Sequence, residues 1–139
     1  MAITSDNVLY GWGSQGWLFG SGVIGDGTGE NRATPVRIME NVVAVSAGQW
    51  HTMAIRTDGT LWGWGASMIG DGSVVQDRAL SPVHIKDDVV AVSAGGQFTI
   101  AVTSDGTLWA WGAGGGRLGD GTSDYSLIPV RIMDNILLP

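Results

Sequence analysis

At 139 residues, 44% of them hydrophobic and 14% charged, the chain is long enough for one domain with a core and too apolar for disorder. Its formal charge of −6, with Lys86 as the one lysine and Arg32, Arg37, Arg56, Arg78, Arg117 and Arg131 scattered, excludes the clustered cations that nucleic acid or an anionic membrane requires. Twenty-three glycines without a collagen period imply many tight turns, and the lack of Cys excludes disulfides and thiolate metal sites.

The chain opens on MAITSDNVLYGWG. This start has neither the basic residues nor the apolar stretch of a signal peptide, and no apolar run approaches the ~20 residues of a membrane span. A soluble protein is expected, cytoplasmic if the chain is complete. AITS and VLYGWG read as two strands joined at Asp6-Asn7, since Asn tolerates the positive φ of a tight hairpin turn.

Residues 14–34 follow as a link that carries SQGWLFGSGVI, an insertion absent from the later copies. It sets Trp17, Leu18 and Phe19 on a connecting loop. Exposed aromatics on loops are typical binding anchors. A cover over a sheet edge or a packing contact between subunits is the other reading.

PVRIMENVVAV at 35–45 gives a short strand opened by Pro, an allowed place for it, and then a β-branched strand. HTMAIRT alternates, Asp58-Gly59 is a strong two-residue hairpin signal, and LWGWG runs back as its partner. Alternation puts Trp62 and Trp64 on one face and Gly63 on the other. The small residues Gly11, Gly63 and Ala110 would let a neighbouring sheet approach.

The order then recurs, with PVHIKDDVVAV at 82–92, TIAVTSDGTLWAWG at 99–112 around Asp105-Gly106, and PVRIMDNILLP at 129–139. Pro35, Pro82 and Pro129 fall 47 residues apart, as do Trp64 and Trp111. A fixed period of this length marks a repeat architecture. One repeat domain, 1–139, is expected, with units of roughly 1–34, 35–81 and 82–128 and a partial unit at 129–139. The in-phase Trp12, Trp64 and Trp111 are expected to be structural. Links from PVRI through VVAV and HTMAI to LWGWG are short, while the link from WG to the next PV is long. These lengths predict four-stranded antiparallel sheets made of those four strands, with the long link crossing to the next sheet. Such sheets are β-propeller blades.

VVAVSAGQWHTMAIRTDGTLWGWG at 42–65 and GGGRLGDGT at 114–122 resemble the regulator of chromosome condensation repeat family. The resemblance implies a β-propeller, usually of seven blades. It also implies a role as a nucleotide-exchange factor for a small GTPase, an inhibitor of an enzyme, or a scaffold. This chain departs from the pattern in holding three repeats and in placing Phe98 where its preceding copy has His51.

Little chemistry stands out. His51 aligns with Phe98, which predicts packing, and His84 aligns with Arg37 and Arg131, which predicts solvation. Asp26, Asp71 and Asp120 recur in Gly-Asp-Gly, where the Asp side chain is expected to bind its own turn rather than calcium. No nucleophile elbow, zinc helix or phosphate loop is present. No enzyme, no cofactor and no metal are therefore expected.

Residues 1–13 read as the last two strands of a blade and 129–139 as the first two. Two chains could thus complete each other, placing Ile136, Leu137 and Leu138 of one beside Ala2 and Ile3 of the other. The expected fold is all-β: a half-propeller of three repeats that closes to six blades as a homodimer. The alternative is a fragment of a longer propeller. The function expected is a non-enzymatic interaction or scaffold module that binds a protein through blade-connecting loops. The alternative is a regulator or inhibitor of an enzyme or small GTPase acting through the propeller face.

Overall fold

The Asp-Gly pairs fold the chain back on itself. At the first, Gly59 takes φ 80° and its N–H donates to Arg56 O at 2.9 Å, while Asp58 Oδ1 accepts from Thr60 N–H at 3.1 Å. At the second, Gly106 donates to Thr103 O at 2.9 Å and Asp105 Oδ1 accepts from Thr107 N–H at 3.1 Å. Each turn sets the register of the strands it joins, so alternation then sorts side chains to fixed faces.

The computed structural model describes residues 1–15, 23–66, 68–74 and 78–138, and every regular element among them is a β-strand. Strands β1 (Ala2–Ile3), β2 (Leu9–Gly13) and β3 (Arg32–Met39) form the first sheet in that order. Strands β4 (Val42–Ala47), β5 (His51–Arg56), β6 (Leu61–Ala66) and β7 (Arg78–Lys86) form the second. Strands β8 (Val89–Ala94), β9 (Phe98–Thr103), β10 (Leu108–Gly112) and β11 (Ser126–Met133) form the third. All pairings are antiparallel. Among the described residues, blade one has three strands and blades two and three have four.

The strand grouping differs from the one drawn from link lengths. PVHI lies in β7 beside β6, with Trp62 opposite His84 and Gly63 opposite Val83. The long link is therefore a loop inside one blade, and the step between blades is the two-residue turn before β4 or β8. Two residues suffice because the chain only crosses the tip of its own blade's hairpin. Val42 N–H donates to Asn7 O and Val89 N–H to Gly59 O, each at 2.9 Å. Asn41 (φ 58°) and Asp88 (φ 60°) make the left-handed bend, which Asn and Asp tolerate better than most side chains. Likewise PVRI near the C-terminus belongs to β11 and finishes blade three, so it does not open a half-blade. Residues 134–139 remain beyond it.

Apolar side chains pack where blades meet. Leu9, Val42, Ala54 and Trp64 fill the space between blades one and two, with Met1, Ile3 and Ile38 at its margin. Met53, Ile55, Leu61, Val89, Ala101 and Trp111 fill the space between blades two and three. Each large side chain so buried is worth roughly 1.5–3 kcal/mol. The room over Gly63 is taken within its own sheet: a Cβ there would lie 3.0 Å from Met53 Sδ and 3.3 Å from Ile85.

Candidate interaction surfaces

The blades are latched by the tryptophans. Trp64 and Trp111 are both fully buried. Trp64 Nε1 donates to Val23 O at 3.0 Å, and Trp111 Nε1 donates to Ile69 O at 2.9 Å, each in the Gly-Asp-Gly loop of the preceding blade. In each loop a glycine lies against the ring. A Cβ on Gly25 would sit 2.5 Å from Trp64 Nε1, and one on Gly70 2.6 Å from Trp111 Nε1. Trp12 occupies the same place in blade one but is 43% exposed.

The aspartates of these loops hold their own turns. Asp71 Oδ1 accepts from Ser73 N–H and Asp120 Oδ1 from Thr122 N–H, both at 3.0 Å. Asp26 accepts from Thr28 N–H at 3.0 Å and pairs with Arg32. Burial pushes the Asp26 carboxyl up, but the bonds from Arg32 and Thr28 outweigh it and hold the group below the usual carboxylate value. Among the described residues no group of three or more His, Asp or Glu is placed to hold a metal.

His51 has a role that its alignment with Phe98 concealed. It is 1% exposed, and its Nε2 meets Thr99 Oγ1 at 2.7 Å across the boundary of blades two and three. Burial lowers its pKa to about 4, so the ring is neutral at physiological pH. The sequence does carry a signal for this bond, since Thr52 and Thr99 recur in phase within otherwise apolar strands. Both are buried, and Thr52 Oγ1 donates to Val23 O at 3.0 Å.

A groove of about 390 Å³ opens between blades one and two, lined by Arg37, Ile38, Met39, Glu40, Arg56 and Trp62. Arg56 lies 5.9 Å from the Trp62 ring centre, and exposed His84 stands edge-on to the same ring at 5.6 Å. Arg37 pairs with Glu40. At the next boundary the matching space is crossed by Lys86, whose Nζ is 3.6 Å from the Trp109 ring centre. The groove lies at the blade-connecting turn.

Of the other residues singled out from sequence, Asp58-Gly59 and Asp105-Gly106 sit at hairpin tips. Ala2 and Ile3 form edge strand β1. Ile136 is half-buried, Leu138 exposed and Leu137 93% exposed. Trp17, Leu18 and Phe19 lie outside the described residues. Their segment joins Gly13 to Arg32, which pair at the end of blade one remote from the groove. No helix among the described residues is long and apolar enough to cross a membrane.

Residues 42–67 and 89–115 match the regulator of chromosome condensation (RCC1) repeat. Over 69 residues the chain is 38% identical to the ultraviolet-B receptor UVR8 of Arabidopsis thaliana, a stretch covering 47% of this chain and 15% of that protein. The fold is similar to that of Prp20p from Saccharomyces cerevisiae, a protein described with its binding to Gsp1p and histones. There the TM-score is 0.78 at 24% identity, covering 96% of this chain and 36% of that one. Yeast RCC1 (Prp20) bound to Kap60 gives 0.73 at 23% identity, covering 96% and 34%. Human WBSCR16 gives 0.76 at 23% identity, covering 94% and 36%. The chain thus spans about a third of the length of these similar structures.

Proposed function

Because the chain is built from regulator of chromosome condensation repeats and folds as propeller blades, we propose that it is a non-catalytic module that binds a protein partner through its blade-connecting segments. The observation that carries this reading is the groove at the turn between blades one and two. Trp62 offers an amphipathic ring there, Arg56 and Arg37 offer guanidinium groups, and Met39 offers an adaptable apolar wall. Aromatic and Arg side chains are the commonest interface anchors. The proteins with which similar structures are described, Gsp1p, histones and Kap60, supply a first panel of partners. Titration calorimetry of the chain against each tests the reading. We expect binding to one of them that Trp62→Ala and Arg56→Ala each weaken at least tenfold without loss of fold. Binding that both variants leave unchanged would overturn the groove as the docking place.

A second reading, regulation of a small GTPase or inhibition of an enzyme through the propeller face, is favoured by the description of Prp20p as a Gsp1p-binding protein. Nucleotide release from Gsp1p, measured with and without the chain, separates regulation from binding alone. Two copies of the chain closing one six-bladed ring complete the proposal, and sedimentation of the chain at micromolar concentration tests that part.

A further inference from the structure

Trp62 and Trp109 hold the same place in blades two and three, yet each ring receives its cation from a different side. At Trp109 the cation comes from the preceding blade, since Lys86 Nζ crosses the boundary to lie 3.6 Å from the ring centre. One repeat earlier Met39 stands in the place of Lys86, so no ammonium crosses and the groove is open. At Trp62 the cation comes from the ring's own blade, as Arg56 in β5, with Cζ 5.9 Å from the ring centre. The groove is lined from β3 and the residue after it, β5 and β6, so both its walls belong to this chain.

The Arg56 side chain takes no part in the bonds that its counterpart makes. That counterpart, Thr103, is buried, and its Oγ1 donates to Asp105 Oδ1 at 2.6 Å and accepts from Trp109 Nε1 at 3.1 Å. In blade two both bonds pass to Thr60, whose Oγ1 donates to Asp58 Oδ1 at 2.6 Å and accepts from Trp62 Nε1 at 2.9 Å. Arg56 is thereby released. Its Nε is buried with no hydrogen-bond acceptor among the described residues, a state rare enough in folded proteins to require a reason. Its Nη1 stands 4.0 Å from Asp58 Oδ2, beyond hydrogen-bond reach. The side chain keeps 29% of its surface exposed, enough to meet a ligand from the groove. The neighbouring cations are matched already, Arg37 by Glu40 and His84 by Asp87.

We infer that the groove takes a carboxylate side chain from an acidic segment of a partner protein, held by the Arg56 guanidinium beside the Trp62 ring. This rests on the docking reading above and names the chemistry that the groove recognises. A guanidinium fork meets a carboxylate in two parallel bonds. The ring and Met39 supply apolar walls for the methylenes that carry it. With a chain charge of −6 an acidic segment gains nothing at long range, so the recognition is one of contact.

The probes are a short capped peptide with two glutamates among alanines and its counterpart with two glutamines. The readout is the indole N–H resonance of Trp62, assigned through Trp62→Phe. The glutamate peptide is expected to shift this resonance saturably, and the glutamine peptide to bind at least tenfold more weakly. Arg56→Thr and Met39→Lys each install the residue that the next repeat already holds at that place. Both are expected to keep the strand signal in circular dichroism and to abolish the shift, the first by removing the fork and the second by filling the groove. Equal shifts from the two peptides overturn the carboxylate and leave the groove reading standing. A shift that persists in Arg56→Thr overturns Arg56 as the receiving group. No shift from either peptide also overturns this inference, while the groove reading answers to the partner titration above.

Discussion

Gly25 and Trp64 touch across the boundary of blades one and two so closely that a Cβ on the glycine would fall 2.5 Å from the indole nitrogen. Val23 O, two residues before that glycine, accepts the same indole N–H at 3.0 Å. The long loop of blade one is thereby tied to the core of blade two. The same kind of bond and the apolar packing around it join each blade to the next.

Gly25→Ala therefore separates two costs. Gly25 (φ 88°) needs both a left-handed backbone and empty space, whereas Gly59 (φ 80°) at a hairpin tip needs only the backbone, its nearest contact being Asp88 Cα at 3.7 Å. A non-glycine residue in that region costs roughly 1–2 kcal/mol. Gly59→Ala is expected to lose about that much in urea unfolding. Gly25→Ala must also displace the Trp64 ring and is expected to lose more, overpacking adding ~1–3 kcal/mol. Equal losses would show that the ring moves aside freely.

His51 makes stability depend on pH in a narrow window. Burial brings its pKa from 6.5 to about 4 in the folded chain, so the unfolded chain binds the proton more tightly. Stability from this group is full above pH 6.5 and falls as pH drops toward 4, by roughly 3 kcal/mol in all. The carboxylates whose pKa is lowered, Asp6, Asp26, Asp58, Asp105 and Asp120, start at 3.8 and act below that window. Urea midpoints at pH 7.5, 6 and 5 should decline for the native chain. His51→Phe should flatten the decline while lowering stability at pH 7.5 by ~1–3 kcal/mol, because Thr99 Oγ1 loses its buried partner. A native chain equally stable at pH 5 and 7.5 would show that the ring is not sealed from water.

The strands, hairpins and repeat period were legible because each rests on local chemistry. Asp58-Gly59 and Asp105-Gly106 dictate turns, and β-branched alternation dictates strands. Sheet membership was not legible. PVHI at 82–85 is next to VVAV in sequence, yet it pairs with LWGWG, because a left-handed Asp88 and one bond to Gly59 let two residues change blades. Link length alone does not separate a hairpin from such a step. The His51–Thr99 bond joins positions 48 apart, and the Arg37–Arg56–Trp62 groove draws on two blades. Both depend on how blades meet; the in-phase Thr52 and Thr99 mark the buried position, but not the partner that reaches it.

Trp17 and Phe19 should separate binding from folding. They stand in the insertion that the other two copies lack, so the blade pattern does not require them. Trp17→Ala with Phe19→Ala is expected to leave the urea midpoint close to that of wild type and to weaken the partner interaction or the dimer. A variant that fails to fold would place this segment in the core.

Deleting residues 136–139 should weaken assembly while sparing the single chain. Leu137 is 93% exposed and Leu138 43% exposed, so the tail buries little against its own blades. The cut keeps Asp134, which accepts from Arg131 and from Thr107 Oγ1 at 3.3 Å, so the end of β11 stays anchored. What goes is the Ile136 bond to Gly106 and the strand that β1 would receive. An isolated strand edge gains nothing in water until a partner pairs with it, so the loss should show in mass and hardly in unfolding. Sedimentation is expected to move toward the single-chain mass at concentrations where the full chain is paired. An unchanged dimer after the deletion would mean that the copies meet through another surface.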